Sequence, residues 1–293
     1  MTAGDCELRG LSFSIGLRLL VRMLMGLSKP RRKILGQELA RDVEAIGKGV
    51  HRLRAGDPIF GTTGLRFGAY AEYICLPEDA RGGAVAIKPA NMNYDEAAAV
   101  PTGGLEALHF LPKARNLRGR TVLIHGAGGG IGTYAVQLAK YFGADVTGVG
   151  RSEKMDLMRS IGADRVIDYT REEFAPGKAT YDVILDLVGT SSFSTSMRAL
   201  KENGEYLLAD PSLWAMVRGA VASLKGGKRV LFRPAVQRSE DRVFLRELIE
   251  GGGIRSVIDR RYSLEDIPAA HRYLGSGMAR GKVVIMVDPG SAS

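Results

Sequence analysis

The chain has 293 residues, 45% hydrophobic and 25% charged, which excludes a largely disordered protein and leaves room for two domains with real cores. Its 41 Lys and Arg against 32 Asp and Glu give a net charge of +9. That charge suits a phosphorylated small molecule or an acidic surface, but no nucleic-acid motif accompanies it, so nucleic acid is not an expected partner. Cys6 and Cys75 are too few for a disulfide framework or a four-cysteine zinc site. They suit a reducing compartment, and the opening Met-Thr-Ala-Gly-Asp-Cys does not read as a secretory signal, so a cytoplasmic protein is expected.

In chain order, Leu11 to Leu27 is apolar nearly all round but interrupted by Arg18 and Arg22. It is too short for a membrane span, so no stable membrane insertion is expected. Burial under a loop is the plainest reading. The alternatives are an interfacial helix anchored by the basic run Lys29-Pro30-Arg31-Arg32-Lys33, or a wall of a substrate entrance. From Gly36 to Leu76, short β-like runs alternate with glycines. Strands are expected at Asp42–Ile46, Pro58–Phe60 and Ala69–Leu76, forming a small antiparallel, barrel-like domain. Asn93 reads as the cap of a helix over Tyr94–Val100, which Pro101 interrupts and Leu105–Leu111 resumes.

From Arg120 onward strands and helices alternate. Strands are expected at Thr121–His125, Asp145–Val149, Arg165–Ile167, Tyr181–Leu187, Glu205–Ala209 and Arg229–Phe232. Helices are expected at Gly130–Phe142, Glu153–Ile161 and Ser192–Leu200. This alternation implies right-handed crossovers and a doubly wound parallel sheet, an α/β fold. A last helix over Ser263–Leu274 and a strand over Lys282–Val287 follow.

The most informative segment runs from the strand Thr121–His125 straight into Gly126-Ala127-Gly128-Gly129-Gly130-Ile131-Gly132. The spacing Ala127-x-Gly129-x-x-Gly132 matches a dinucleotide fingerprint with alanine in first place. Small residues let the chain turn tightly, approach a pyrophosphate and pack the helix on the strand, and the helix N-terminus offers unpaired N–H groups. Gly128, Gly129, Gly130, Ile131 and Gly132 are therefore cofactor-binding candidates. The next strand ends Val149-Gly150-Arg151-Ser152. NAD-selective sites place an acid near here. Arg151, with Ser152 and Lys154 behind it, suits a 2′-phosphate instead, so NADP(H) is favoured over NAD(H). The competing reading of Arg151 is a solvated surface charge.

Together with Gly36–Gly47, Phe67–Ile74, Ala97–Pro101, Ile161–Asp164, Val166–Tyr169, Tyr181–Gly189 and Gly281–Val284, these residues make the chain resemble the medium-chain dehydrogenase/reductase superfamily, in its zinc-independent, quinone-oxidoreductase-like branch. The resemblance implies a Rossmann domain over 99–239 and a GroES-like β-barrel catalytic domain built from 1–98 and 240–293. It implies NADPH-dependent hydride transfer to a quinone, an enone or a carbonyl compound, and it allows a homodimer. It also implies that Lys154 and Tyr169 lie near the 2′-phosphate, Val188 and Gly189 beside the cofactor, Lys282 near the nicotinamide end and Asp5 near the substrate pocket. Zinc-dependent relatives carry a histidine where this chain has Gln37, and a cysteine where it has Thr2, so no metal is expected. Thr2 and Asp5 are the catalytic candidates, with a structural role in the barrel the equal alternative for Asp5.

Three departures stand out. The usual opening strands of the barrel are lacking, Arg41 replaces a glycine, and Glu106 replaces a threonine. They keep a second reading open: a cofactor-binding protein with impaired turnover and a sensor or scaffold role. His125, at the end of the first Rossmann strand, reads as structural or cofactor-side, and Trp214 as core or pocket wall.

Overall fold

The computed structural model describes residues 1–10, 22–23, 26, 32–78, 85–111, 117–174, 179–189, 191–209, 213–224, 227–232 and 239–287. All but three positions of the apolar segment Leu11–Leu27 lie outside the described residues. The chain divides into two compact units, Met1–Thr102 with Gln237–Ser293, and Gly103–Val236.

The first unit opens with helix α1 (Ala3–Gly10). Strands β1 (Glu38–Asp42), β2 (Pro58–Thr62) and β3 (Val85–Ile87) then form an antiparallel sheet in that order. The first strand starts four residues before the expected Asp42–Ile46 and stops where that stretch begins. Asp42 pairs with Pro58, the first residue of β2, and the chain before it is a turn closed by Asp57 N–H donating to the Arg54 carbonyl. Beyond Asp42, Val43 still exchanges hydrogen bonds with Asp57 and Gly56, but among the described residues no strand pairs with the stretch that follows, and Ile46 is exposed. The expected strand Ala69–Leu76 does not form. The N–H groups of Gly68, Ala69 and Tyr70 donate instead to the carbonyls of Leu35 and Gly36, across a loop that Gly68 enters with φ +98°. The third strand is Val85–Ile87, too short to show an alternating pattern. Helix α2 (Tyr94–Ala99) carries the expected cap as a full capping box: Asn93 accepts from Glu96 N–H and Glu96 accepts from Asn93 N–H. Pro101 does not interrupt the next helix. It begins α3 (Pro101–Phe110), where a missing N–H costs nothing.

The second unit continues with β4 (Thr121–His125), α4 (Gly132–Tyr141) and β5 (Asp145–Gly150). A short 3-10 turn, Ser152–Lys154, leads into α5 (Met155–Ser160), followed by β6 (Arg165–Asp168), β7 (Tyr181–Asp186) and α6 (Phe193–Ala199). Strand β8 (Leu200–Leu208), helix α7 (Leu213–Leu224) and β9 (Arg229–Phe232) complete it. The six strands are parallel in the order β6-β5-β4-β7-β8-β9, a Rossmann-type sheet whose order reverses beside β4. Leu123, Val149, Ile184, Leu200, Tyr206 and Val230 form one of its cores. Helix α7 turns Gly219 against Val230, where a Cβ would meet the valine at 2.7 Å. The opposite face carries Trp214, which is 77% exposed and so not the core residue it could have been.

The chain then returns to the first unit with α8 (Ser239–Glu250), β10 (Ile258–Ser263), α9 (Ile267–Gly275) and β11 (Lys282–Met286). Strands β10 and β11 pair in parallel. The last helix begins four residues later than expected because Ser263 still pairs with Met286 and then turns through its hydrogen bonds with Asp266. Ala270, Ala279 and Val283 pack with Tyr70, Tyr262 and Tyr273. Among the described residues no helix is long and apolar enough to cross a membrane.

Candidate functional site

In the second unit β4 delivers the chain into Gly126, whose φ of +85° starts the turn. The helix begins at Gly132, two residues later than the sequence suggests, so Gly130 and Ile131 stay in the turn. A Cβ on Gly132 would lie 2.1 Å from the Gly126 carbonyl oxygen, and one on Gly103 of α3 would lie 2.6 Å from the Gly130 carbonyl oxygen. The turn is thus held between two close backbone approaches. Among the described residues no hydrogen bond uses the N–H of Gly128, Gly130, Ile131 or Gly132. Four donors remain at the positive end of a ten-residue helix, an arrangement that fits a pyrophosphate.

Beside this turn lie the ends of β5 and β6. Gly150 pairs with Asp168, so Arg151 and Tyr169 leave the sheet as neighbours. Arg151 Nε donates to the Tyr169 hydroxyl at 2.9 Å, both side chains being exposed. Lys154 runs under Gly128, where a Cβ would meet its side chain at 2.8 Å. Ser152 donates to the Asp168 carboxylate, which also accepts from Thr170 N–H at 2.9 Å and Thr170 Oγ1 at 2.7 Å. The Ser152 hydroxyl first, then Thr170, holds the Asp168 carboxyl down to about 2. Sequence reasoning missed Asp168. Its signal is an aspartate closing a strand two residues before a threonine, the pattern of an Asx-turn.

A second strand-end carboxylate organises the opposite side. Asp186, 1% exposed at the end of β7, accepts from Val188 N–H at 3.1 Å, Gly189 N–H at 2.9 Å and the Tyr206 hydroxyl at 3.1 Å, and also from Ser191. It thereby sets the course of Val188 and Gly189. It was not singled out from the sequence either. His125 is the register neighbour of Asp186 and is buried, with no partner for Nδ1 among the described residues. Burial pushes its imidazole below the ordinary value, with Asp186 opposing. The unfolded chain therefore binds more protons just below the ordinary histidine range. Stability carried by neutral His125 is expected to fall as pH drops from about 6.5. Unfolding measured against pH should show a shallower acid slope in His125→Gln than in the wild type, and an equal slope would refute this.

In the first unit the structure gathers Thr2, Asp5 and Gln37. Asp5 is fully buried; it accepts from Thr2 N–H at 2.9 Å and Gly36 N–H at 3.2 Å and lies 3.0 Å from Thr2 Oγ1. Thr2 Oγ1 is 3.4 Å from Gln37 Oε1, and Gln37 Nε2 donates to the Gly64 carbonyl. Lys282 is buried in an ion pair with Glu38, which also accepts from Thr102 N–H at 2.8 Å. Glu38 is another partner the sequence did not single out. Arg41 is exposed on β1, and Glu106 is half-buried on α3.

Residues 161–285 match the family described as zinc-binding dehydrogenase. The 2-methylene-furan-3-one reductase of Solanum lycopersicum is 33% identical over 271 residues, 89% of this chain but only 65% of that protein, less than two thirds of its length. The quinone oxidoreductase of Pseudomonas aeruginosa is 33% identical over 273 residues, 86% of this chain and 81% of that protein. The chain belongs to the medium-chain dehydrogenase/reductase superfamily. Within the superfamily it falls in the quinone-oxidoreductase-like branch. The structure of the Coxiella burnetii quinone oxidoreductase superposes with a TM-score of 0.85 at 29% identity, covering 98% of this chain and 87% of that one. Further superfamily members that match are named as NAD(P)H or NADPH-dependent oxidoreductases. Gln37 lies outside the matched residues, and among the described residues no three His, Cys, Asp or Glu side chains gather to hold a metal ion. The glycine turn fits the pyrophosphate of a dinucleotide.

Proposed function

We propose that this chain is an NADPH-dependent, metal-independent reductase of quinones, enones or related carbonyl compounds. The hydrogen bond of 2.9 Å between Arg151 and Tyr169 carries the reading. It sets a guanidinium beside Tyr169 at the end of β5, where an NAD-selective site would put a carboxylate, with the outer guanidinium donors turned to a 2′-phosphate. Lys154 adds a second cation, Ser152 lines the same loop, and the N–H groups of Gly128, Gly130, Ile131 and Gly132 take the pyrophosphate, with Gly129 keeping the turn tight. When bound, NADPH supplies a hydride.

The remaining work belongs to the protein's own groups. Val188 and Gly189, held by Asp186, border the cofactor. Lys282 orders the nicotinamide end from its pair with Glu38. An enone or quinone that accepts a hydride becomes an oxyanion. Thr2 and Asp5 border the substrate end, and because the Thr2 hydroxyl proton is already donated to Asp5, the proton that the oxyanion takes comes from solvent or from another hydroxyl. Gln37 offers an amide, a poor zinc ligand, so charge on the substrate oxygen is met by hydrogen bonding.

Parallel thermal titrations with NADPH and NADH test the cofactor. NADPH should stabilise the protein by about 2.7 kcal/mol at roughly a hundred times its Kd, and NADH much less. Arg151→Gln should weaken NADPH at least about tenfold and leave NADH nearly unchanged. NADPH oxidation with a panel of quinones and enones then tests turnover. Tight binding with no reduction would favour the sensor or scaffold reading. A cooperative melt that neither cofactor moves would overturn both.

A further inference from the structure

We propose that Asp168 is the positioning residue that sets this chain's preference for a 2′-phosphorylated dinucleotide. The inference rests on the reading of Arg151 as a phosphate ligand and adds the group that holds that ligand in place.

Asp168 ends β6 opposite Gly150 and is 3% exposed. Its two carboxylate oxygens tie two separate chain segments. Oδ1 accepts from the N–H and the hydroxyl of Thr170, the residue after Tyr169. Oδ2 accepts from Ser152, the residue after Arg151. The two groups that would meet the phosphate are thus each followed directly by a residue fastened to one buried carboxylate. The N–H of Tyr169 donates to the Gly150 carbonyl at 3.2 Å, a third tie at the same place. Above this frame, Arg151 and Tyr169 are exposed, and a hydrogen bond between two exposed side chains holds little by itself. Their alignment must come from the backbone beneath, and that backbone is fixed by Asp168.

The charge of Asp168 does not oppose this role. Arg171 Nε lies 3.6 Å from Oδ2, and the hydroxyls and N–H already described use both oxygens. Nor does the carboxylate resemble the acid of an NAD-selective site. That acid follows the second strand of the unit and faces a ribose hydroxyl. Asp168 closes the third strand, and its oxygens face its own loops.

Asp168→Asn keeps the shape but gives up the charge and one accepting atom, so it cannot hold both segments as before. Calorimetry on the full chain, with adenosine 2′,5′-bisphosphate and adenosine 5′-monophosphate as probes, reads the effect without turnover. The bisphosphate should bind about tenfold more weakly to Asp168→Asn, with the monophosphate changed by less than about twofold. Ser152→Ala, which cuts only one tie, should give a smaller loss of the same kind, and it carries the test if Asp168→Asn fails to fold. Equal weakening of both probes, or unchanged selectivity in folded variants, would overturn the proposal. Equal binding of both probes by the wild type would instead overturn the reading of Arg151 itself, a result distinct from a selective wild type whose selectivity survives Asp168→Asn.

Discussion

Gly132→Ala is expected to lower the unfolding free energy by about 3 kcal/mol and to abolish stabilisation by NADPH, whereas Gly47→Ala should do neither. The added Cβ would sit 2.1 Å from the Gly126 carbonyl oxygen and 2.7 Å from the Ala127 Cα and carbonyl carbon. All three are backbone atoms, so no side chain can swing aside. The strain must be relieved by parting α4 from β4. Gly103 resists that movement, because α3 already approaches the Gly130 carbonyl as closely as a glycine allows. Parting the two elements also redirects the N–H groups of Gly128, Gly130 and Ile131, which is why binding should fail along with stability. Around Gly47 nothing among the described residues lies within 4 Å, so the same substitution there has room. Denaturant unfolding and a thermal titration of both variants make the comparison. A Gly132→Ala protein that unfolds with the wild type, or still responds fully to NADPH, would refute the argument.

What could be read from the sequence follows from how local each signal is. Strand β4 lies over Thr121–His125 as expected because its apolar run is interrupted on one side by polar residues and on the other by glycines. The Asn93 cap was legible for the same reason: every partner of a capping box lies within three residues. The small sheet of the first unit was read less well. Where β1 ends is decided by Pro58, sixteen residues away along the chain, and the N–H groups that might have made a strand of Ala69–Leu76 are taken by Leu35 and Gly36. Neither fact has a local mark. The candidate site divides along the same line. Arg151, Lys154 and the glycine turn announce themselves by residue type and spacing. The groups that orient them do not. Asp168 and Asp186 each join local donors, Thr170 for one and Val188 and Gly189 for the other, to one from another part of the chain, Ser152 or Tyr206, and β11 carries Lys282 to Glu38; only the local half of each set has a mark in the sequence.

Lys282→Met is expected to destabilise the protein by about 3 kcal/mol or more, with most of the loss recovered when Glu38→Gln is added. Lys282 and Glu38 have side chains 4% and 1% exposed, so their charges are almost fully removed from water. Removing the lysine alone leaves a buried carboxylate with Thr102 N–H at 2.8 Å and the Met1 ammonium at 3.6 Å, too little to replace a direct ion pair. Removing the glutamate alone strands the ammonium of Lys282 in the same place. With both gone, a neutral amide can still accept from Thr102 N–H, and methionine fills the lysine's volume with apolar atoms. A double-mutant cycle on unfolding free energy should therefore give a large favourable coupling. The same variants separate two roles for Lys282. If it mainly contacts the nicotinamide end, Lys282→Met should weaken NADPH binding with little loss of stability, and Glu38→Gln should not rescue it. If the pair mainly fixes β11 against β1, stability should fall first and binding should return in the double variant. The burial of both partners favours the second outcome, and a stable Lys282→Met protein would decide against it.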